Sequence, residues 1–233
     1  HKFLCLFSTV QMIRTNDTRE LLDGFNRILT NRIVEWGYDP NVDVENYKTP
    51  SQAELKSSAI NLIHTLPSSL VEDFLNKKLS LLKAPEGQSF YISDNPIVKH
   101  NHFPREGRGD LGVGLKGIEI YFPISPLYCL SFLCGETAHE IITKVKNFKA
   151  AKSLGIAPKI DLCEVEKLVD SFENGTTNLL SIENMDFNNS LQVIQSTRFV
   201  YSCDSQFILA KDMLRTHPEI STQEKFVDGS VLF

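Results

Sequence analysis

The sequence lacks the features of a membrane protein or a disulfide-bonded secreted protein. No apolar run approaches the ~18 residues that a transmembrane helix needs, and the apolar segment 3–7 is followed directly by polar residues. The five cysteines are scattered, and no two of them form a Cys-x-x-Cys pair. This pattern argues against a structural zinc site and against a disulfide framework. We therefore predict a cytoplasmic protein that does not associate with membranes.

Several common catalytic motifs are also missing. The chain contains no Gly-x-Ser-x-Gly elbow and no Walker lysine. Residues 107–112 match Gly-x-Gly-x-x-Gly, but a predicted strand follows them, whereas a dinucleotide site needs a helix there. His139 and Glu140 begin a zinc-protease motif, but Thr143 stands where the second histidine belongs. These matches therefore support neither dinucleotide binding nor a metalloprotease.

The composition is that of an ordinary globular protein. The 233 residues are 42% hydrophobic and 23% charged, with a formal net charge of −5. This length is enough to bury a substantial core in a single domain. The negative charge does not favour nucleic-acid binding, which would require a local basic patch. Because the chain starts at His1, we expect an N-terminal segment or a second chain to complete the domain.

The apolar periodicity predicts an α+β fold, in which a helical bulk packs on one small, mainly antiparallel sheet. We divide the chain into a helical part (1–87), a β core (88–135), helices with a returning strand (136–215) and a tail (216–233). The sheet strands are expected within residues 88–98, 117–124, 127–133 and 198–202. Residues 118–122 alternate between apolar and other side chains, which is typical of a half-buried strand.

Helix starts are predicted from capping patterns, in which an N-terminal Ser, Thr or Asp is followed three residues later by Glu. Ser51 opens a helix that Pro67 is expected to end, and Ser69 opens another that runs through Leu82. The first helix, with Phe3 and Phe7 on its apolar face, is expected to be mostly buried. Asp17, Thr137 and Asp161 show the same pattern and predict further helix starts. Helices are also predicted to begin at Asp186 and Asp204, without this pattern.

A turn formed by Ser93, Asp94, Asn95 and Pro96 interrupts the first predicted strand. Asp side chains accept hydrogen bonds from nearby backbone, and a proline forces the preceding residue into extended geometry. One interpretation places the Asp94 carboxylate at the sheet rim as a general base or a metal ligand. The other interpretation makes Asp94 the structural acceptor of its own turn. The position of the turn beside a glycine-rich loop favours the functional interpretation.

Two histidines follow this turn. His100 and His102 are two residues apart, so an extended segment places both rings on one side. With Asp94 nearby they are candidate ligands for a divalent metal, the only cofactor for which the sequence offers an argument. The alternative is that they are ordinary residues of a loop that also carries Arg105 and Arg108.

Together, these short motifs resemble a known family. They are Gln11-x-x-Arg14-Thr15 in the first helix, Ser93–Pro96, Pro123–Pro126, and Asn188 or Asn189 before the segment 198–202. They are similar to the bacterial domain of unknown function family 4238 over about residues 3–203. The resemblance implies no established activity. It implies an association with bacterial defence or toxin-like genes.

Two hypotheses for function remain open. In the first, the protein is a hydrolytic effector directed at nucleic acid, and Gln11, Arg14, Asp94 and Asn95 converge on a catalytic cleft. In the second, it is a non-catalytic binding or regulatory module, and these residues lock the sheet to the first helix. A buried Arg14–Asp94 ion pair would suit either hypothesis, because buried charges are normally paired.

Overall fold

The computed structural model describes residues 1–42, 44, 47–103, 109–156, 160–203 and 207–221. The helices within these ranges are α1 (Lys2–Ile13), α2 (Asn16–Glu35), α3 (Gln52–Leu75), α4 (Gly135–Ser153), α5 (Cys163–Asn174), α6 (Ile182–Ile194) and α7 (Ile208–Thr216), with a short 3-10 helix at Pro218–Ser221. The strands are β1 (Lys78–Lys83), β2 (Ile92–Ser93), β3 (Val98–Asn101), β4 (Ile118–Pro123), β5 (Tyr128–Leu133), β6 (Asn178–Leu179) and β7 (Val200–Tyr201).

Five of the strands form one sheet in the order β3-β4-β5-β1-β6. All neighbouring pairs are antiparallel except β1 and β6, which are parallel. The predicted α+β class, with helices on a mainly antiparallel sheet, is therefore confirmed. The expectation that residues 198–202 return to this sheet is wrong, because β7 pairs with β2 in a separate two-stranded ribbon.

Helices cover both faces of the five-stranded sheet. On one face, Ile118 and Ile120 of β4 belong to a core cluster with Phe74 of α3 and Cys5 of α1. On the other face, Tyr121 of β4 joins a second cluster that contains residues of α6. All six residues of β4 are buried. The predicted half-buried strand is therefore fully buried, because its polar alternate positions also face helices.

Residues 52–83 differ most from the prediction. The Ser51 capping box is present, with the Glu54 carboxylate accepting from the Ser51 backbone N–H at 2.7 Å. Helix α3 then continues through Pro67 instead of ending there. Ser69 lies inside this helix and donates its hydroxyl hydrogen bond to the Leu66 carbonyl at 2.9 Å. Residues 78–83 form a strand and not the end of a helix. Their short apolar run fits both helical and strand spacing, so the pattern alone does not distinguish the two.

Other boundaries shift less. Helix α2 is capped by Thr15 rather than Asp17, and α6 begins four residues before Asp186, after the cap Ser181. Phe3 is 89% exposed, so the first helix is less buried than predicted. The predicted helix start at Asp204, residues 104–108 of the glycine-rich loop and residues 222–233 of the tail lie outside the described residues. Among the helices described, none is both long enough and apolar enough to cross a bilayer.

Candidate functional site

Three side-chain amides, two in α6 and one at its C-cap, hold the segment that leads to the two histidines. Asn189, Gln192 and Gln195 follow one another at intervals of three residues, so they share one side of the helix. Each amide binds both a backbone N–H and a backbone C=O of residues 89–99. We call this set the amide ladder. Like a neighbouring β-strand, the ladder supplies hydrogen-bond donors and acceptors to the backbone of residues 89–99.

The hydrogen bonds of the amide ladder have short donor–acceptor distances. Asn189 accepts from the Tyr91 N–H at 2.7 Å, and Gln192 accepts from the Ser93 N–H at 2.9 Å. Gln195 accepts from the Lys99 N–H at 3.0 Å and donates to the Lys99 carbonyl at 2.7 Å. Lys99 is the neighbour of His100, so the ladder fixes the backbone of the strand that carries the histidines.

Asp94 and Asn95 extend this arrangement at the end of α6. The Asp94 carboxylate accepts from the Thr197 N–H at 2.9 Å and from the Thr197 hydroxyl at 2.6 Å. Asn95 is buried, and its Nδ2 donates to the Gln195 carbonyl at 3.2 Å. The acceptor of the turn itself is the Ser93 hydroxyl, which receives the Asn95 N–H at 3.2 Å. Both side chains therefore fasten the turn to α6.

Gln11 and Arg14 are not brought into this arrangement. Gln11 is buried on α1, which packs against α3, while Arg14 is exposed at the end of α1. Across the described ranges, no hydrogen bond or ion pair joins either residue to Asp94 or Asn95. Arg14 is exposed, so the buried Arg14–Asp94 ion pair that would suit either hypothesis is absent from the described residues, where Thr197 supplies the partners of the carboxylate.

His100 and His102 lie side by side next to β4. Their ring centroids are 5.0 Å apart, and the rings meet edge to face at 88°. His100 lies within β3 opposite Glu119 of β4, and the His102 N–H donates to the Gly117 carbonyl at 3.1 Å. The His100 ring also contacts the Phe187 ring at 5.0 Å. The antiparallel pairing of β3 with β4 thus places both imidazoles beside one acidic residue.

Glu119 orients His102 through a contact with its Nε2 atom. The Glu119 residue is only 8% exposed, and its carboxylate lies 2.9 Å from His102 Nε2. The other carboxylate oxygen accepts the hydroxyl of Ser131, which is fully buried on β5. A buried carboxylate with both oxygens engaged has little freedom to rotate. The His102 side chain remains 42% exposed, so the imidazole can meet a ligand from solvent.

The surroundings of the two imidazoles shift their pKa values in opposite directions. The hydrogen bond to Glu119 raises the pKa of His102 above its ordinary value, against the opposing effect of burial. Burial lowers the pKa of His100, and the adjacent His102 lowers it further. Such separation is the usual way in which two like groups take the roles of acid and base. Burial also raises the pKa of the neighbouring Tyr121, and the Glu119 carboxylate adds to this effect.

The predicted metal site lacks a third protein ligand beside His100 and His102 among the described residues. Within the part of the chain that the structure describes, no group of three or more His, Cys, Asp or Glu side chains is arranged to hold a metal ion. Asp94, the third ligand suggested by the sequence, is bonded to Thr197. Metal binding by His100 and His102 stays a prediction.

Glu119 and the amide ladder are functional features that the sequence motifs do not predict. The alternating pattern places Glu119 on the solvent side of its strand, whereas the pairing of β3 with β4 brings it beside the two histidines. The ladder had a visible signal, because Asn189, Gln192 and Gln195 recur at helical spacing beside the buried apolar residues of α6.

The fold and this site define an α+β protein with a paired-histidine centre braced by a buried glutamate. A family model described as "Protein of unknown function (DUF4238)" matches residues 2–206. The chain therefore belongs to this family. No match is found among curated proteins, and none is found among solved structures.

Proposed function

We propose that the protein is an acid–base enzyme that cleaves phosphodiester bonds in nucleic acid, with RNA as its first candidate substrate. The observation that carries this proposal is the contact of His100 with His102, whose pKa values are shifted apart. His100 serves as the general base and His102 as the general acid. Glu119 positions His102 and holds its proton.

The shifted pKa values make the productive protonation state the major one. Between the lowered pKa of His100 and the raised pKa of His102, His100 is neutral and His102 is protonated. A base must be unprotonated and an acid protonated at the start of the reaction. The rate should therefore follow a bell-shaped pH profile, with its plateau between these two values. Because the rings touch, the substrate lies across them and not between them.

RNA suits this pair because of its internal nucleophile. The two hydroxyl-bearing side chains beside Glu119 are buried: Ser131, which donates to Glu119, and Tyr121. The attacking group must then be water or a hydroxyl of the substrate. The 2′-hydroxyl of RNA needs only proton removal to attack its own phosphodiester, and the leaving oxygen needs only a proton. DNA lacks that hydroxyl, so comparison of the two polymers tests this point.

The motif residues named from the sequence have a positioning role in this proposal. Asn95 binds the C-cap residue of α6, Gln195, and the Gln195 side chain binds Lys99 next to His100. Asp94 anchors the residue Thr197 that follows this helix end. Asp94 and Asn95 thus act on the histidine strand from a distance. We assign no step of proton transfer to Gln11 or Arg14.

The test is cleavage of a fluorescent single-stranded RNA by the wild-type protein and by His100→Asn and His102→Asn. Each variant should lose about 10²–10⁴-fold in rate, the usual contribution of a general acid or base. His139→Asn is the matched control, because His139 is exposed on α4 away from the motif residues, and it should retain the full rate. Equal cleavage by all four proteins, or none by the wild type on RNA or DNA, would contradict the proposal.

A second candidate is a non-catalytic binding or regulatory module. The observation that favours it is that Asp94 and Asn95, which the sequence offers as catalytic candidates, are bonded to Thr197 and to the Gln195 carbonyl. In that case nucleic acid or another ligand would bind without turnover. Retention of a labelled RNA in a gel-shift assay, with no cleavage and no effect of the histidine variants, would support this candidate.

The cellular setting remains a proposal as well. The resemblance supports a role as an effector in a bacterial defence or toxin-like system, and RNA cleavage would account for toxicity. A cytoplasmic location agrees with the five free cysteines. Growth arrest on induced expression, relieved by His102→Asn, is the expected result in cells.

A further inference from the structure

A cavity with a volume of about 570 Å³ lies between α6, α7 and the residues that precede β2. This volume is within the range of roughly 300–1,000 Å³ that is usual for small-molecule sites. Helix α6 presents Ile182 and Asp186 to the cavity, and α7 presents Ile208 and Asp212. The residues of each pair are four apart and therefore share one side of their helix. Each helix thus contributes an isoleucine and a carboxylate to the same cavity.

The inner wall of the cavity is formed by buried residues whose positions are fixed. Tyr91 is buried and lines the cavity, and its backbone N–H donates to the Asn189 amide oxygen at 2.7 Å. Asn189 is also buried and lines the cavity. The Tyr91 ring contacts the Phe207 ring, with 5.8 Å between the two centroids. Because this wall is in place before a ligand enters, binding loses little entropy through the ordering of side chains.

The charge of the cavity lining is negative. Asp186 and Asp212 line the cavity, whereas no lysine or arginine of the described residues does so. Arg215 pairs with one oxygen of Asp212 at 2.6 Å, but its side chain is exposed and lies outside the lining. From the described part of the chain, no hydrogen bond or ion pair reaches the Asp186 carboxylate. The lining is therefore complementary to a cation and repels an anion such as a phosphate.

The apolar part of the lining distinguishes between kinds of cation. Mg²⁺ and Ca²⁺ prefer six or more oxygen ligands, and this cavity combines its two carboxylates with apolar surface. Ile182 and Ile208 are each more than half exposed, so they offer that surface to a ligand. Organic ammonium groups form charge-assisted hydrogen bonds with carboxylates and are attracted to aromatic rings such as that of Tyr91. An alkyl chain between two ammonium groups matches this combination.

We propose that the cavity between α6 and α7 is a binding site for a small organic diammonium ion. One ammonium group binds the Asp186 carboxylate, and the other binds the free oxygen of Asp212. The methylene chain between them lies along Ile182 and Ile208, with the Tyr91 ring behind it.

The experiment is a nuclear magnetic resonance titration of the full chain, labelled with nitrogen-15, with diaminobutane as the probe. The expected result is a saturable shift of backbone amide signals of the lining residues, including Tyr91 and Asn189. Butanediol, which has the same chain length and no charge, should leave these signals in place. Magnesium chloride tests the alternative of a metal ion at the same carboxylates and should also leave them in place.

Two variants test the assigned carboxylates. Asp186→Asn and Asp212→Asn should each raise the Kd for diaminobutane by about three- to tenfold, the range between an exposed ion pair and a charge-assisted hydrogen bond. Both residues are exposed, so both variants should fold. Asp23→Asn is the matched control, because it removes the same charge from α2, which packs against α3, and it should leave the Kd unchanged.

Three results would overturn the proposal: no saturable shift in the wild type, the same shifts with butanediol or magnesium chloride, or an equal Kd in all three variants and the wild type. RNA cleavage is not read in this titration, and neither histidine lines the cavity. The outcome is therefore independent of the proposed function.

Discussion

Replacement of Asp94 separates a positioning role from a catalytic role. Its carboxylate receives two hydrogen bonds from Thr197, at 2.9 Å from the backbone N–H and at 2.6 Å from the hydroxyl. Asp94→Asn keeps the shape of the side chain. The amide oxygen can still accept from the N–H, and the amide nitrogen can donate to the hydroxyl oxygen. Asp94→Ala removes both acceptors and leaves Thr197 unpaired.

The magnitudes follow from the types of hydrogen bond. Bonds to a charged acceptor contribute about 1.5–3 kcal/mol and neutral bonds about 0.5–1.5 kcal/mol, so Asp94→Asn should lower the free energy of unfolding by about 1 kcal/mol. Asp94→Ala should lower it by about 2–3 kcal/mol, because Asp94 is half-buried and water can replace part of the loss. For a chain of this size, that corresponds to a decrease in Tm of about 4–12 °C.

Urea and thermal unfolding, together with RNA cleavage per folded molecule, provide the measurement. Thr197→Val is the control. The double variant Asp94→Ala/Thr197→Val should lose less stability than the sum of the two single variants, because both remove the same hydroxyl hydrogen bond. Cleavage per folded molecule should change little in Asp94→Asn. A complete loss of cleavage at unchanged stability would refute the positioning role and place Asp94 in the catalytic step.

Three further predictions concern the surroundings of the histidines. Gln192→Ala should cost about 2–4 kcal/mol in unfolding free energy, measured in urea, because two buried backbone groups lose their partner. Gly117→Ala should destabilise far more than Gly87→Ala; both glycines have a left-handed φ, but an added Cβ at Gly117 alone would overlap the Phe103 ring. The free energy of unfolding of the wild type should exceed that of His102→Gln most at low pH, and this difference should disappear as the pH rises through the raised pKa of His102. Urea unfolding at a series of pH values from about 5 to 9 measures this difference.

Local chemistry predicts part of this fold from the sequence. The Ser51 capping box depends only on neighbouring residues, and it is confirmed. The end of α5 at Gly175, which has a φ of 70°, is set by local chemistry in the same way. Residues 78–83 could not be assigned in this way. Their leucines fit either period, and the choice is made by pairing with β5, which lies about fifty residues later.

The candidate site depends even more on distant contacts. Asp94 drew attention because it lies in a conspicuous turn, but its partner Thr197 is 103 residues away. The relation of His102 to Glu119 required the register of β3 against β4, which spacing along the chain does not give. A motif of polar residues identifies residues that matter to the protein. Only their contacts in the fold distinguish a residue that positions others from a residue that transfers protons.

We propose above that His100 and His102 form an acid–base pair whose pKa values are separated by their surroundings. Nuclear magnetic resonance titration of the two imidazole side chains, assigned with His100→Asn and His102→Asn, tests it most directly. We predict that His100 titrates below and His102 above the ordinary value of 6.5, and that Glu119→Gln lowers the pKa of His102. Two imidazoles that titrate together at the ordinary value, unaffected by Glu119→Gln, would contradict the proposed acid–base pair.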